Sequence, residues 1–125
     1  MKRILIIDDN KDVRDYLRRI LERGGYEVLD ASNGKDGIRI FEDAQIDLVI
    51  TDMLMPTMDG AETILRLRSL ADNPKIIAIS GGGASLATDV CLRVGELAGA
   101  SLALDKPIDR LKLIETVRGL IGGES

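Results

Sequence analysis

Residues 4–9 read Ile-Leu-Ile-Ile-Asp-Asp, so that four consecutive apolar side chains are followed at once by two carboxylates. A run that is apolar at every position is typical of a strand buried on both faces, which parallel sheets contain. Further short, largely apolar runs occupy residues 28–29, 46–50, 76–79 and 102–104. We therefore predict five buried strands, the first over residues 4–7.

Longer segments between these runs have the apolar period of amphipathic helices. In residues 12–23 apolar side chains recur every three or four positions, and the opposite side carries charged residues that include Arg14. The same period predicts helices over residues 35–41, 61–70, 86–97 and 108–121. The faces predicted to pack on the sheet include Tyr16, Leu65, Leu70 and Leu111.

The alternation of strands and helices predicts an α/β fold built from five βα units. Right-handed crossovers between parallel strands lead to a doubly wound, five-stranded parallel sheet, for which we predict the strand order 2-1-3-4-5. In such open sheets, binding and catalytic residues gather at the carboxyl ends of the strands, near the point where the strand order reverses. We therefore expect the functional residues at these ends.

Composition and length exclude several classes of protein. The 125 residues suit one domain, and no apolar run approaches the roughly 18 residues that a membrane-spanning helix needs. The formal net charge of −4 argues against broad electrostatic binding to nucleic acid. The chain has no histidine, which excludes histidine catalysis and a phosphohistidine of its own. The single cysteine, Cys91, excludes an intrachain disulfide and fits the reducing cytoplasm, where we expect the protein to act.

Charged or hydroxyl side chains follow four of the five predicted strands. The first strand is followed by Asp8 and Asp9, the third by Asp52, the fourth by Ser80 and the fifth by Lys106. Taken singly, such residues have ordinary explanations. Asp9 or Asn10 can cap the next helix, and Pro107 can occupy the first turn of the last helix.

Taken together, the three carboxylates indicate a metal site. Strands one and three are neighbours in the predicted order, so Asp8, Asp9 and Asp52 converge and repel one another unless a cation neutralises them. Oxygen ligands with open positions suit Mg²⁺, which keeps water and phosphate oxygens in its shell. With Ser80 and Lys106 arriving from neighbouring strands, the pocket suits a phosphoryl group that Asp52 accepts as nucleophile.

The sequence resembles the receiver domains of the two-component response regulator family. The matching residues occur in the family's order and span nearly the whole chain: Asp8-Asp9, Asp52 within the segment 52–60, Ser80, Gly99-Ala100 and Lys106-Pro107. The resemblance implies the flavodoxin-like or receiver-like (βα)5 fold. It also implies that residues 1–125 form one receiver (response regulatory) domain without an output domain.

The resemblance also implies a role for each site residue, with Asp52 as the phosphoacceptor. The implied Mg²⁺ ligands are the carboxylates of Asp9 and Asp52, the backbone carbonyl of Met53 and, through water, Asp8. Lys106 would contact the phosphoryl group, and Ser80 would move to hydrogen-bond it after transfer. In the family, the peptide bond that corresponds to Lys106-Pro107 is typically cis.

The function implied in this way is phosphorelay signalling. A sensor histidine kinase or a histidine phosphotransfer protein would donate the phosphoryl group, and the receiver would signal by contact with an unknown downstream protein. No nucleic-acid or membrane partner is expected. Such a protein is not an enzyme beyond its own phosphoryl transfer and autodephosphorylation. The alternative is a degenerate receiver that acts as an unphosphorylated interaction module or as a phosphate sink.

Two departures from the family pattern keep that alternative open. Ala103 stands where the family usually has an aromatic residue, and the stretch after Ser80, which begins Gly81-Gly82-Gly83, is a few residues longer than usual. Two other classes fit less well. A phosphohydrolase of the haloacid dehalogenase type needs an aspartate where Leu54 stands, and a flavodoxin-like electron carrier needs a less acidic loop than residues 8–11.

Overall fold

The structure, a computed structural model, describes residues 1–53, 60–80 and 101–122, without the side chains of Ser80 and Asp105. The strands in this part of the chain are β1 (Arg3–Ile7), β2 (Glu27–Ala31), β3 (Leu48–Asp52), β4 (Ile76–Ser80) and β5 (Leu102–Asp105). The helices are α1 (Lys11–Arg23), α2 (Gly34–Asp43), α3 (Gly60–Leu70) and α4 (Arg110–Ile121). The helix predicted over residues 86–97 and the glycine loop at 81–83 lie outside the described residues.

All five strands pair in parallel in the order β2-β1-β3-β4-β5, which confirms the predicted sheet. Ile7 at the end of β1 is level with Thr51, and Asp52 is level with Ile79. The strand order reverses at β1 and β3. The residues that leave β1 therefore emerge beside Asp52, at the place where an open sheet of this kind binds its ligands.

Successive side chains of β1 alternate between two apolar layers. Ile4 and Ile6 pack in a layer that α1 and α4 cover with Leu17, Ile20, Leu21, Leu113 and Val117. Leu5 and Ile7 pack in the opposite layer, which α2 and α3 cover with Ile38, Ile64 and Leu67. Side chains from residues 4 to 7 are completely buried. The continuous apolar run therefore reflects a strand with helices on both faces.

Asparagine and aspartate side chains cap three of the helices. The side chain of Asn10 accepts hydrogen bonds from the backbone N–H groups of Asp12 and Val13, so Asn10 rather than Asp9 caps α1. Asp109 caps α4, which begins at Arg110 and not at residue 108. Pro107 is therefore not in the first turn of that helix. The Lys106-Pro107 peptide bond is cis, as the family resemblance implied.

The predicted helix faces are wrong at several positions. Four side chains predicted to pack on the sheet are exposed: Leu111 by 65%, Leu65 by 58%, Tyr16 by 47% and Leu70 by 43%. The stripe of each helix that packs on the sheet is narrower than the apolar face of that helix. In α4, the fully buried Leu113 lies in this stripe. Arg14, predicted on the solvent side of α1, has a side chain only 15% exposed.

Within the described residues, no helix is long and apolar enough to cross a membrane.

Candidate functional site

Three carboxylates meet at the carboxyl ends of β1 and β3. One oxygen each of Asp8, Asp9 and Asp52 lies within 4.8 Å of the other two. Asp8 is completely buried and Asp52 is 4% exposed, whereas Asp9 is exposed to solvent. The register between Ile7 and Thr51 explains this meeting, since each strand carries its next residue to the same edge of the sheet.

Lys106 brings a single cation to this cluster from the end of β5. Its Nζ lies 3.1 Å from Oδ2 of Asp8 and 3.8 Å from Oδ2 of Asp52. Within the described residues, one ammonium faces three carboxylates, so these four side chains carry an excess of negative charge. We call Asp8, Asp9, Asp52 and Lys106 the acidic pocket. The sequence predicted these residues at strand ends, and the structure brings them together.

Backbone hydrogen bonds hold Asp8 in place. Its carboxylate accepts a hydrogen bond from the backbone N–H of Asn10 at 2.8 Å, and its own N–H donates to the carbonyl of Ala31 at 3.1 Å. Because the first bond satisfies one carboxylate oxygen and Lys106 contacts the other, the buried charge of Asp8 has partners on both sides.

Arg14 also supports Asp8, and the sequence analysis missed this role. Its Nη1 donates to the backbone carbonyl of Asp8 at 2.8 Å, while its Nε lies 3.6 Å from Oδ1 of Asp30. Arg18 donates to the same Asp30 carboxylate at 2.8 Å. One signal was available: Arg14 follows the cap residue Asn10 by four positions, which places it one helical turn from the end that faces the pocket.

Gly60, the first residue of α3, packs against the end of β3. The N–H of Met53 donates to the carbonyl of Ile79 at 2.8 Å, and the carbonyl of Met53 accepts a hydrogen bond from the N–H of Gly60 at 3.1 Å. A Cβ at position 60 would collide with the carbonyl oxygen of Asp52 and with Cα of Met53. Glycine is therefore required where α3 begins, and its N–H holds the Met53 carbonyl against the start of α3.

The Met53 side chain is buried in the layer beneath α2 and α3. Leu54, where a phosphohydrolase of the haloacid dehalogenase type needs an aspartate, lies outside the described residues.

Two further predicted positions are placed only in part. β4 ends at Ser80, whose backbone is level with Asp105, so this residue reaches the same edge as the acidic pocket. The role predicted for the Ser80 hydroxyl concerns a side chain outside the described part of the structure. Ala103 lies in β5 and is half-buried against the layer beneath α2 and α3. Its small side chain stands where the family usually has an aromatic residue.

The donor set of the acidic pocket fits a small, hard divalent cation. It consists of the carboxylates of Asp8, Asp9 and Asp52, a cluster that includes no sulfur or imidazole. The backbone carbonyl of Met53 comes directly after β3. Mg²⁺ takes one or two protein carboxylates and fills its remaining positions with water and phosphate oxygens. The clustered carboxylates supply such ligands, and the exposure of Asp9 lets water and phosphate oxygens reach the site.

Comparison with known proteins relates this chain to a single family. The response regulator receiver domain family matches residues 4–118. A response regulator receiver protein of Anaeromyxobacter is 37% identical over 108 residues, a match that covers 86% of this chain and 44% of that protein. The chain therefore spans less than half of that relative's length. Protein PilH of Pseudomonas aeruginosa is 32% identical over 123 residues, which cover 98% of this chain and 100% of PilH.

A solved structure shares both the fold and the sequence pattern. The response regulator protein TrrA of Thermotoga maritima, in complex with Mg²⁺ and BeF, superposes with a TM-score of 0.81 and 31% identity. The superposition covers 96% of this chain and 99% of TrrA. Together with the strand order and the family match, this similarity defines a receiver domain of two-component signalling. The chain belongs to the response regulator receiver domain family, as its sequence resemblance implied.

Proposed function

We propose that this receiver accepts a phosphoryl group on Asp52 and passes the signal on by contact with another protein. The observation that carries the proposal is the acidic pocket, in which Asp8, Asp9 and Asp52 meet Lys106 at the reversal of the strand order. In the transfer, a carboxylate oxygen of Asp52 forms a bond to phosphorus while the bond between phosphorus and the donor breaks. The product is an acyl phosphate on Asp52 and the free donor group.

Lys106 is placed to stabilise the transferred group. Its ammonium lies within 3.8 Å of the Asp52 carboxylate and is held by the buried Asp8. A cation fixed beside the acceptor favours the negative charge that arrives with the phosphoryl oxygens, because it needs no reorganisation during transfer. Asp8 thus acts on the phosphoryl group through the lysine that it positions.

Mg²⁺ is the cofactor that the donor set supports. Asp9, Asp52 and the Met53 carbonyl would hold the ion, with Asp8 bound through water. When bound, the ion neutralises the clustered carboxylates and the charge of the phosphoryl oxygens. The Mg²⁺–BeF complex of TrrA supports this assignment, since the two proteins share the fold over nearly their full lengths.

The receiver contains no histidine, so the phosphoryl group must come from a donor outside these 125 residues. We infer a sensor histidine kinase or a histidine phosphotransfer protein as the physiological donor. The downstream partner is a protein, and the receiver catalyses only its own phosphorylation and autodephosphorylation. A cytoplasmic location stays a prediction.

Acetyl phosphate tests the proposal without knowledge of the kinase. With Mg²⁺ present, intact-mass spectrometry should show the addition of one phosphoryl group to the wild-type chain and none to Asp52→Asn. Asp43→Asn is the matched control, because Asp43 lies at the exposed end of α2, and it should label like the wild type. Equal labelling of Asp52→Asn and the wild type would refute Asp52 as the acceptor.

Of the two departures that keep the degenerate-receiver alternative open, the small side chain at Ala103 is the one that lies within the described residues. Beryllofluoride, which mimics a phosphoryl group, separates the two functions. Amide chemical-shift changes that extend beyond the acidic pocket would support a phosphorylation-dependent switch. Changes confined to residues 8–9, 52–53 and 106 would favour a phosphate sink.

A further inference from the structure

β2 is an outer strand of the sheet, and no site residue was predicted at its end. Its carboxyl end lies beside β1, since Ile6 is level with Asp30 and Ile7 with Ala31. The end of β2 is therefore next to the point where Asp8 leaves β1 for the acidic pocket. Contacts from Asp30 and Ala31 reach the backbone of Asp8, so β2 also has a connection to the site.

The Asp30 carboxylate lies between two arginines of α1. Its Oδ2 accepts a hydrogen bond from Nη2 of Arg18 at 2.8 Å, and its Oδ1 lies 3.6 Å from Nε of Arg14. Arg18 also donates to the carbonyl of Val28 at 2.9 Å, which ties it to β2. Asp30 is therefore held on one side by Arg18 and presents its other oxygen to Arg14.

Arg14 extends this contact from Asp30 to the acidic pocket. Its Nη1 donates to the backbone carbonyl of Asp8 at 2.8 Å, and its side chain is only 15% exposed. A guanidinium group is planar and rigid, so contacts at Nε and at Nη1 together fix its orientation. The carbonyl that it binds belongs to the peptide bond between Asp8 and Asp9.

Both backbone groups of Asp8 are thus tied to β2. The N–H donates directly to the carbonyl of Ala31 at 3.1 Å, and the carbonyl is held through Arg14 and Asp30. The next residue, Asp9, is exposed to solvent but contributes a carboxylate to the cluster. Because few neighbours surround an exposed side chain, the backbone that precedes Asp9 has a large part in placing its carboxylate.

We propose that Asp30 and Arg14 are positioning residues that raise the affinity of the acidic pocket for Mg²⁺, because they hold the peptide bond between Asp8 and Asp9. Neither residue touches the ion or the phosphoryl group, and both act through the backbone of Asp8. Outer residues that orient metal ligands in this way increase metal affinity, since the ligands are in place before the ion arrives. The inference rests on the Mg²⁺ site of the proposed function.

The charge of Arg14 gives the proposal a distinctive sign. A cation near the acidic pocket repels Mg²⁺, so loss of this charge alone would strengthen Mg²⁺ binding. Loss of the hydrogen bond to Asp8 would weaken Mg²⁺ binding, because Asp9 would no longer be held in place. The two effects of Arg14→Met are therefore opposite, and the proposal requires the weakening to prevail. Arg14→Lys keeps the charge but cannot reproduce both contacts of the guanidinium group.

Titration of the full chain with Mg²⁺ alone tests the proposal without any phosphodonor. Amide chemical shifts of Asn10 and Met53 report the Kd of the ion. We expect Arg14→Met to raise this Kd about tenfold, Arg14→Lys about fivefold and Asp30→Asn about threefold. The double variant Asp30→Asn/Arg14→Met should have the same Kd as Arg14→Met, because Asp30 acts through Arg14.

The matched control is Glu27→Gln, at the opposite end of β2. Glu27 forms an ion pair with Arg3 at 2.9 Å, so this variant also removes a carboxylate charge and an arginine contact from the strand. Its Kd for Mg²⁺ should equal that of the wild type. Urea unfolding without Mg²⁺ checks that every variant is folded under the conditions of the titration.

The rate of labelling by acetyl phosphate provides a second measurement. In Arg14→Lys, the Mg²⁺ concentration that gives half of the maximal rate should rise about fivefold, and excess Mg²⁺ should restore the rate. A substitution that only destabilised the fold would lower the rate at every Mg²⁺ concentration. Absence of labelling in the wild type would refute the proposed function, whereas a labelled wild type with unchanged Kd values in the variants would refute this inference alone.

Three other outcomes would overturn the proposal. Tighter Mg²⁺ binding by Arg14→Met would show that Arg14 acts through its charge and not through its hydrogen bond. Additive effects in the double variant would show that Asp30 does not act through Arg14. A weakening in Glu27→Gln equal to that in Asp30→Asn would assign the effect to the net charge of β2.

Discussion

The acidic pocket and a groove between α1 and α4 each concentrate charge of one sign, but under opposite conditions. In the pocket, Asp8 and Asp52 are buried and face a lysine 3.1 and 3.8 Å away. The groove, which we call the arginine groove, is lined by four arginines: Arg19, Arg23, Arg110 and Arg118. All four are exposed, and none forms an ion pair in the part of the chain that the structure describes. One cluster is neutralised in part from within the protein, and the other only by solvent.

This difference shows what each cluster can contribute. Buried charges have lost their hydration, so each depends on its protein partners or on a bound cation. Removal of such a partner lowers the stability of the fold strongly. Exposed charges retain their hydration and cost the fold little. The pocket therefore couples ligand binding to stability, whereas the groove can hold its charges without affecting the fold.

The largest effect is expected for Lys106→Met, which removes the cation that the described residues bring to the acidic pocket. Without Mg²⁺, we expect the free energy of unfolding to fall by about 2 kcal/mol, less than for a fully buried pair because the lysine side chain is 20% exposed. Urea unfolding measures this loss. Lys112→Met, an exposed lysine of α4, is the control, and an equal loss in both variants would show that the pocket charges are not coupled to stability.

The second effect is stabilisation by Mg²⁺, which should relieve the repulsion among the pocket carboxylates. At ten times its Kd the ion should add about 1.4 kcal/mol, which raises Tm by about 5 °C in thermal unfolding. Asp9→Asn should lose this response, while Asp12→Asn, in the first turn of α1 and outside the carboxylate cluster, should keep it. A wild-type Tm that does not change at millimolar Mg²⁺ would count against the metal site.

A smaller effect is expected at the rim of the arginine groove. The double variant Arg19→Glu/Arg118→Glu should change the free energy of unfolding by no more than about 0.5 kcal/mol, since both side chains are exposed and lack an ion pair in the described ranges. The same urea titration tests it. A loss as large as that of Lys106→Met would mean that these arginines stabilise the fold, and the contrast between the two clusters would disappear.

The smallest effect is expected for the ion pair between Lys11 and Asp15 on α1, because both side chains are exposed to solvent. The hydrogen bond from Lys11, at 2.8 Å, lowers the pKa of the Asp15 carboxyl below its ordinary value of 3.8. A lowered pKa adds stability above pH 3.8, and this stability is lost as pH falls through the lower folded-state pKa.

The Tm of the wild type should therefore exceed that of Asp15→Asn slightly at neutral pH, and the two should converge as the pH falls from 3.8 through the lower folded-state pKa. High salt should also reduce the difference. A difference that persists at low pH would show that Asp15 acts through packing and not through its charge.

The sheet and the meeting of the carboxylates were predictable because they depend on local patterns. Residues 4–7 are apolar at every position, and such a run is typical of a strand that is covered on both faces. Once β1 and β3 are neighbours, the register carries Asp8 and Asp52 to the same edge. Strand order and site position therefore follow from short segments of sequence.

The helix faces were less predictable, because they depend on how a helix lies on the sheet. In α4, Leu111 and Leu113 are two positions apart, and both belong to plausible apolar stripes. Only the packing angle decides that Leu113 is buried and Leu111 exposed. The apolar period of α1 also could not predict the pairing of Arg14 with Asp30, since this contact joins the helix to the end of a neighbouring strand.

Tyr16 connects the groove between α1 and α4 to the chain segment that follows the pocket lysine. Its ring lines the arginine groove, and its hydroxyl bonds to the carbonyl of Ile108, two residues after Lys106. Any molecule that displaces this ring acts on the same backbone segment that carries the pocket lysine. Linkage requires the effect to be reciprocal: any factor by which such a molecule changes Mg²⁺ affinity is the factor by which Mg²⁺ changes the affinity for that molecule. The same coupling free energy can therefore be measured from either end of the molecule, and Tyr16→Phe removes the hydroxyl that joins the two.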